Sequence, residues 1–221
     1  TLADDNTDLG DGTVIDTNTG VASVQGNYLR LTQDGVGGTA SSFKLSDLDP
    51  GKESEAFTIT FSLRMSTDDN PADGFSVNFG AIPDGNGGGE GGFAIPDGLI
   101  IAWDTYDNGS DSPSFEVFSD GISIANFPQT FSSVHNIWVP VNIHWDASGL
   151  DLTYNGTAIT TDLAAPGFVP GVGNTVAFSA RTGGATQDIF IDTLEVVTIP
   201  EAPITTGGVI ISEFVADNTR L

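Results

Sequence analysis

The chain contains no cysteine and only six lysine and arginine residues beside 30 aspartates and glutamates. The absence of cysteine excludes disulfides, thiolate metal sites and a cysteine nucleophile, so an apolar core has to hold the fold together. The formal net charge of −24 repels polyanions, and we therefore expect no nucleic-acid partner. Long apolar runs are also lacking, which predicts no membrane insertion.

The residues that are abundant favour strands and turns. Phenylalanine (14), glycine (28) and proline (11) accompany a hydrophobic content of 38%. Short runs with period-two alternation recur between turn clusters, at 57–63, 75–79, 99–103, 139–145 and 175–180. This pattern predicts an all-β sandwich. The Asn155-Gly156 pair predicts a tight hairpin between strands at 150–154 and 157–161.

The composition changes near the C-terminus. We interpret residues 1–198 as one sandwich domain and the Pro-, Thr- and Gly-rich stretch 199–208 as a linker. The apolar run within 209–221 indicates one more strand, which either pairs with the sandwich or begins a second domain. Trp103, Trp138 and Trp145 all lie in strand-like runs, so core packing is expected for each.

An acidic loop at 104–111 follows the apolar run that ends at Trp103. Calcium takes six to eight hard oxygen ligands from carboxylates, amides, backbone carbonyls and water. Side-chain oxygens of Asp104, Asn108 and Asp111, with the Tyr106 carbonyl, are ligands of this kind. The loop therefore predicts a calcium site.

Two questions about this loop stay open from the sequence. Asp107 competes with Asp111 for the role of second carboxylate. The same residues would also suit a turn in which aspartate and asparagine side chains accept hydrogen bonds from backbone amides, with no metal.

Four segments stand out in chain order: Ala-Asp-Gly-Phe at 72–75, Gly-Gly-Phe at 91–93, Asp-Thr-Tyr-Asp-Asn at 104–108 and Phe-Ser-Ala-Arg-Thr-Gly at 178–183. They resemble, in this order, the sugar-site elements of legume lectins, which belong to the concanavalin A-like lectin/glucanase superfamily. The segments 43–51, 104–109, 138–141 and 180–185 carry a closer resemblance, which runs from about residue 29 to 197, to bacterial laminin-G-like jelly-roll modules. Residues 209–218 resemble the opening strand of lamin-tail-like domains.

The resemblance implies a concanavalin A-like jelly-roll β-sandwich of two antiparallel sheets. It also implies that Asp73 accepts hydrogen bonds from sugar hydroxyls and that the Gly92 amide donates one. Phe93 and Tyr106 are the loop aromatics available for a sugar face. The implied ligand-binding residues are Asp73, Gly92, Phe93, Tyr106, Asn108, Arg181, Thr182, Gly183 and Gly184. Arg181 could instead serve as an ion-pair partner.

One departure limits the metals. Legume lectins place a glutamate two residues before the first aspartate of the calcium element, where it helps to hold a transition metal. Ala102 occupies that position here, and no histidine follows closely. The resemblance therefore carries over calcium alone.

The glucanases of this superfamily use a Glu-x-Asp-x-x-Glu element, which this sequence lacks. We expect a protein that is not an enzyme: a noncatalytic, calcium-assisted carbohydrate-binding module of a larger secreted or cell-surface bacterial protein. Its expected partners are a glycan or polysaccharide and other domains of the same polypeptide. The alternatives are a calcium-stabilised structural or adhesive spacer without glycan binding, and a polysaccharide hydrolase or lyase.

Overall fold

The computed structural model describes residues 14–16, 22–25, 28–65, 71–83, 90, 92–93, 95–109, 113–129 and 136–201. These residues form strands and connecting loops, and no α-helix occurs among them. None of the described segments is accordingly a helix long and apolar enough to cross a membrane.

The strands are, in chain order, β1 (Val14–Asp16), β2 (Ser23–Gln25), β3 (Tyr28–Thr32), β4 (Ala40–Lys44), β5 (Ser54–Met65), β6 (Gly74–Gly80), β7 (Leu99–Asp104), β8 (Ser114–Ser119), β9 (Ile122–Pro128), β10 (Val139–Asp146), β11 (Gly149–Tyr154), β12 (Thr157–Leu163), β13 (Thr175–Arg181) and β14 (Ile189–Pro200).

The strands form two antiparallel sheets of seven. The first sheet has the order β1-β4-β13-β6-β7-β8-β9, and the second has the order β12-β11-β10-β5-β14-β3-β2. Strands distant in sequence are neighbours in both, as where β13 pairs with β4 and β6. The predicted all-β sandwich of two antiparallel sheets is confirmed.

The core lies between the sheets and follows the period-two pattern. On β5, Phe57, Ile59, Phe61 and Leu63 are at most 3% exposed, while the alternate side chains point outward. Phe61 meets aromatic rings of the first sheet edge-on, with its centroid 5.3 Å from that of Phe178. Alternation along β5 therefore places four of its side chains in the interface between the sheets.

The three tryptophans do not share one environment. Trp103 is fully buried and Trp145 packs partly buried against the core. Trp138, just before β10, is 38% exposed, so its predicted place in the core is wrong. Its ring lies on the outer side of the second sheet, where it contacts Tyr28 at 5.8 Å between centroids.

The predicted hairpin is confirmed. β11 and β12 pair antiparallel with Tyr154 opposite Thr157. Asn155 and Gly156 have φ values of +49° and +76°. Positive φ at both central positions is the requirement of the two-residue turn that asparagine and glycine favour.

A loop covers the outer face of the first sheet beside β6. Phe93 and Ile95 pack with Ile82 and Ala177 in a second, small apolar cluster. The Phe93 amide donates to Asn78 Oδ1 at 2.9 Å, which fixes the loop on the strand. All seven residues of β6 are consequently buried.

The last strand continues past the predicted domain boundary. β14 ends at Pro200, and the Glu201 amide donates to the Glu53 carbonyl at 2.7 Å. Strand structure therefore includes the first two residues of the predicted linker, 199–208. The rest of that linker beyond residue 201 and the predicted strand within 209–221 lie outside the described residues, so these boundaries stay predictions.

Candidate functional site

Three of the four predicted site segments meet at one end of the first sheet. β6 begins at Gly74, which pairs with Asp104 at the end of β7 and with Arg181 at the end of β13. The Asp73 amide donates to the Arg181 carbonyl at 3.0 Å, and the Thr105 amide donates to the Asp73 carbonyl at 3.0 Å. Asp73 is thus held between the loops that follow β7 and β13. The peptide between Ala72 and Asp73 is cis.

The Asp73 side chain is part of a three-membered ionic group. Arg181 Nε donates to Asp73 Oδ2 at 2.8 Å, and Arg181 Nη2 donates to Glu90 Oε1 at 2.5 Å. The guanidinium side chain is 48% exposed, whereas the two carboxylate side chains are 17% and 22% exposed. One cation between two carboxylates leaves a formal charge of −1 at this position.

The loop after β13 approaches Asp73 closely because it contains glycine. A Cβ on Gly183 would lie 2.9 Å from Asp73 Oδ1 and 3.0 Å from Oδ2, so a larger residue would displace the carboxylate. At Gly184 a Cβ would meet no atom within 4 Å, so this position is open. Thr182 differs from both, because it is 1% exposed and its hydroxyl bonds Thr39 Oγ1 at 2.7 Å. Its side chain anchors the loop and does not face a ligand.

The glycine-aromatic segment, the fourth predicted segment, lies beside β6. Gly92 has φ +70°, and a Cβ there would lie 2.3 Å from Asn78 Oδ1, so only glycine fits. Phe93 is 5% exposed within the small apolar cluster. The expectation that Phe93 offers an aromatic face to a sugar is therefore wrong, because its ring fills the space over the first sheet. Tyr106 is half-buried and remains the loop aromatic of this site.

The acidic loop contains the side-chain turns that the sequence left as an alternative. Asp104 Oδ1 accepts a hydrogen bond from the Tyr106 amide at 3.1 Å, and Asp107 Oδ1 accepts one from the Gly109 amide at 2.7 Å. Asn108 is exposed and makes no turn of this kind in the described part of the loop. Asp111 lies outside the described residues, so the choice between Asp107 and Asp111 stays open.

The donors present are of the type that calcium takes. Asp104, the Tyr106 carbonyl and Asn108 supply hard oxygens within five residues of chain. Among the described residues, however, no three histidine, cysteine, aspartate or glutamate side chains cluster as a metal site. Ala102 is 1% exposed and offers no ligand atom for a second metal. A calcium site here therefore depends on Asp107 or Asp111 for a second carboxylate.

Two residues beside the site were not singled out from the sequence. Glu90 lies within the glycine-rich run 84–92, where Asp84 is the other charged residue. A charge in a run of glycines is the signal by which the sequence could have indicated it. Gln187 is fully buried and ties the loop after β13 to its neighbours: its Oε1 accepts from Thr105 Oγ1 at 3.0 Å, and its carbonyl accepts from Thr32 Oγ1 at 2.8 Å. Both residues support the position of the loops around Asp73.

The Glu90 carboxyl has a raised pKa. Partial burial is the main cause, the nearby carboxylates of Asp73 and Glu116 add to it, and Arg181 opposes it. The folded protein therefore binds this proton more tightly than the unfolded chain does. Stability from this group is present at low pH and falls as the pH rises above the ordinary glutamate value of 4.5.

Replacing Glu90 with glutamine is expected to flatten part of this pH dependence, because the amide cannot titrate. Urea unfolding of the parent and of Glu90→Gln, followed from about pH 4 to pH 7, measures it. The difference in unfolding free energy between the two proteins should shift in favour of Glu90→Gln as the pH rises. A constant difference across the range would contradict the raised pKa.

No protein-family model and no curated protein sequence matches the chain. Solved structures do match. The basic winged bean lectin with Tn-antigen aligns with a TM-score of 0.68 at 20% identity, over 86% of this chain and 93% of the lectin. Lectin I-B4 from Griffonia simplicifolia, in its metal-free form, aligns at 0.66 and 20% identity, over 88% and 96%. The VIP36 exoplasmic/lumenal domain in its Ca²⁺/Man3GlcNAc-bound form aligns at 0.63 and 14% identity, over 87% and 89%.

These alignments cover nearly the whole length of both partners, while the sequence identities are low. At such identities the likeness concerns the course of the chain and leaves the choice of ligand open. The two seven-stranded antiparallel sheets and these neighbours together show that the chain has the concanavalin A-like lectin fold.

Proposed function

We propose that the protein is a noncatalytic carbohydrate-binding module whose ligand site is the loop cluster around Asp73. The observation that carries the proposal is the convergence on one carboxylate of loops from three parts of the chain. Asp73 Oδ2 accepts a hydrogen bond from Arg181 Nε at 2.8 Å. The same carboxylate lies against Gly183, where a Cβ would be only 2.9 Å from Asp73 Oδ1. A carboxylate that is 17% exposed and fixed in this way is preorganised to accept hydrogen bonds from a ligand.

The surroundings suit a sugar. Pyranose rings combine directional hydroxyl groups with apolar CH faces, so a site needs planar polar groups and an aromatic surface. Asp73 supplies acceptors, Arg181 is 48% exposed and supplies donors, and Tyr106 supplies a half-buried ring. The names of the structural neighbours add support, since one is a complex with Tn-antigen, one with galactose and one with Man3GlcNAc.

The charge of the site selects among sugars. Asp73 and Glu90 outweigh the single guanidinium of Arg181, and the protein as a whole carries −24. A uronate would enter against this potential, whereas a neutral saccharide would not. We infer that the Asp73 site takes neutral saccharides.

Calcium would contribute rigidity to this site. Asp104, Asn108 and the Tyr106 carbonyl, with Asp107 or Asp111, would hold the ion, and a bound ion would fix the loop that carries Tyr106. Thr105, next in the chain, already donates to Asp73 through its backbone. Holding the loop before the ligand arrives lowers the entropy cost of binding.

A role without catalysis rests on the carboxylates present. Retaining glycoside hydrolysis needs two carboxyl groups about 5 to 5.5 Å apart flanking the scissile bond. In this site Asp73 Oδ2 and Glu90 Oε1 each accept a hydrogen bond from Arg181, so the two carboxylates are held as a pair of acceptors around one guanidinium. We further propose that the module belongs to a larger secreted or cell-surface bacterial protein, in keeping with its resemblance to bacterial jelly-roll modules.

Calcium removal is expected to lower the melting temperature, because a ligand that binds only the native state stabilises it. Thermal unfolding with saturating EDTA and with excess calcium measures the shift. Asp104→Asn should abolish most of the difference between these two conditions, while Asp162→Asn, an exposed carboxylate on β12, should leave it unchanged. Identical melting curves with calcium and with EDTA would contradict the calcium site.

The same two conditions test the sugar. A glycan array with mannose- and galactose-terminated glycans should retain the calcium-loaded protein and release it with EDTA. One observation favours the alternative of a structural spacer that binds no glycan, because the Asp73 carboxylate already has an ion-pair partner within the chain. A calcium-dependent melting temperature together with no retention on any glycan would replace the lectin-like function with that of a calcium-stabilised spacer.

A further inference from the structure

A depression lies on the outer face of the second sheet, which is the face turned away from the core. Its volume is about 350 Å³, and β5 and β10 form its floor. Asn142 is opposite Thr60 in the pairing of these strands, and Pro140 is opposite Ser62. Thr153 continues the same row on β11, since it pairs with Asn142. The lining combines the neutral hydroxyl and amide groups of this row with apolar surface from Phe61, Pro140 and Val141, and its volume falls within the range of small-molecule sites, about 300–1,000 Å³.

An aromatic row lies farther along the same outer face, beyond Ser62 on β5. Arg64 is two residues beyond Ser62 on the same face of β5, at a rise of about 7 Å. Its Cζ lies 4.3 Å from the ring centroid of Phe190, 5.0 Å from that of Trp138 and 5.5 Å from that of Tyr28. We call Arg64, these three aromatic residues and Arg30, which pairs with Phe190, the arginine-aromatic row. Trp138 is its most exposed ring, at 38%.

Neither arginine of this row has a carboxylate partner in the part of the chain that the structure describes. Among the described residues, the ion pairs involve His144 and Arg181 and neither Arg30 nor Arg64. The buried Nε of each arginine has no hydrogen-bond acceptor within the ranges that the structure describes. Arg30 meets one neutral group, because the Gln25 amide, oriented to accept, lies 3.0 Å from its Nη2.

Arginines without an ion pair are unexpected in so acidic a chain. Carboxylates outnumber lysine and arginine by 30 to six, yet two of those six cations lie together on one sheet face with no ion-pair partner among the described residues. Guanidinium groups bind carboxylates through paired donors, and they stack on aromatic rings while doing so. The row is therefore complementary to an anion, unlike the Asp73 site with its net negative charge.

We propose that the outer face of the second sheet is a second saccharide site, specific for a uronate-containing oligosaccharide. A pyranose ring lies in the depression, where Thr60, Asn142 and Thr153 exchange hydrogen bonds with its hydroxyl groups. The exposed ring of Trp138 packs against a CH face of the next sugar, and Arg64 with Arg30 receives its carboxylate. This site does not depend on the Asp73 site or on calcium.

Binding of short oligouronates tests the proposal. The probes are oligomers of galacturonate, of mannuronate and guluronate, and of glucuronate, titrated calorimetrically in EDTA so that no metal bridges protein and ligand. At least one series should bind, and its methyl ester, in which each carboxylate is neutral, should bind at least about tenfold more weakly. Binding of none of the oligouronates, or equal binding of acid and ester, would overturn the proposal.

Substitutions locate the binding. Trp138→Ala and Arg64→Gln should each weaken oligouronate binding about fivefold or more, the usual effect of removing a central aromatic or arginine contact. Arg64→Lys keeps the charge and should recover part of the loss. Lys52→Gln removes an exposed cation elsewhere and should have no effect, and Asp73→Asn should have none either.

Circular dichroism first confirms that each variant is folded, and Asn142→Ala provides a second test if Arg64→Gln is not. Loss of binding in Asp73→Asn with none in Trp138→Ala would place the ligand at the other site and overturn the proposal.

Discussion

Replacement of Trp103 with alanine is expected to lower the free energy of unfolding by about 3–5 kcal/mol, the usual cost of deleting a large aromatic core side chain. Trp103 is fully buried on β7 and joins the rings of both sheets. Its ring stacks on Phe75 with centroids 4.5 Å apart, and it meets Phe115 at 5.2 Å and Phe61 at 6.3 Å. An alanine would leave a cavity that these rings, fixed on separate strands, fill only in part. Urea unfolding measures the change through the midpoint at constant slope.

Two further variants show whether burial is the cause. Trp103→Phe should cost much less, because a ring remains and because the buried Trp103 Nε1 has no hydrogen-bond acceptor among the described residues to lose. Trp138→Ala makes the same chemical change at a side chain that is 38% exposed, and it should cost less than half as much. Similar losses at both tryptophans would show that the core between the sheets does not dominate stability.

The strands could be predicted from the sequence because alternation is a local property. The run 57–63 has apolar residues at every second position, and those residues face the core in β5. The Asn155-Gly156 pair fixed its hairpin for the same reason, since positive φ at two successive residues depends only on those residues. Pairing between distant strands, such as β13 with β4, needed the resemblance to a known fold.

The side chains that leave the core were harder to predict. Phe93 and Trp138 are both aromatic residues outside the strands, yet Phe93 is 5% exposed and Trp138 is 38% exposed. Phe93 is buried because Ile82 and Ile95 add a second apolar layer outside the first sheet. Trp138 is exposed because nothing in the described chain covers the outer side of the second sheet beside Arg64. Such layers depend on loop packing, which local periodicity does not encode.

The candidate site, too, could be predicted only in part from the sequence. The resemblance implied that four segments converge, and the structure brings those at 72–75, 104–108 and 178–183 together, whereas Gly92 and Phe93 lie beside β6. The ion pair between Asp73 and Arg181 joins residues 108 positions apart, and Glu90 joins it from a glycine-rich loop without a strand pattern. A single sequence allows Arg181 to face either a ligand or a carboxylate. In the structure it faces two carboxylates and is still half exposed.

Substitution of Asp73 with asparagine is expected to weaken binding of neutral glycans about 10- to 100-fold, as the loss of hydrogen bonds to a charged acceptor usually does. The new side chain would present one acceptor oxygen and an NH₂ group in place of two acceptors. The amide would also leave Arg181 Nε without its charged partner at 2.8 Å. Titration of the calcium-loaded protein with a glycan retained on the array measures the dissociation constant. Asp162→Asn removes an exposed carboxylate on the second sheet and should leave that constant unchanged.

Arg181→Gln then separates two roles for the guanidinium. If Arg181 positions Asp73, its removal leaves two carboxylates repelling each other, the pKa of Glu90 rises further, and glycan binding weakens with Asp73 displaced from the loop at Gly183. If Arg181 instead occupies the place of a sugar hydroxyl, its removal frees Asp73 Oδ2 and binding tightens. We expect the first outcome, because the Nε contact leaves Asp73 Oδ1 unengaged by Arg181 and therefore open to a ligand. Tighter glycan binding by Arg181→Gln than by the parent protein would show that the ion pair closes this site. In that case Arg181 competes with the glycan for Asp73 in the parent protein and lowers its affinity.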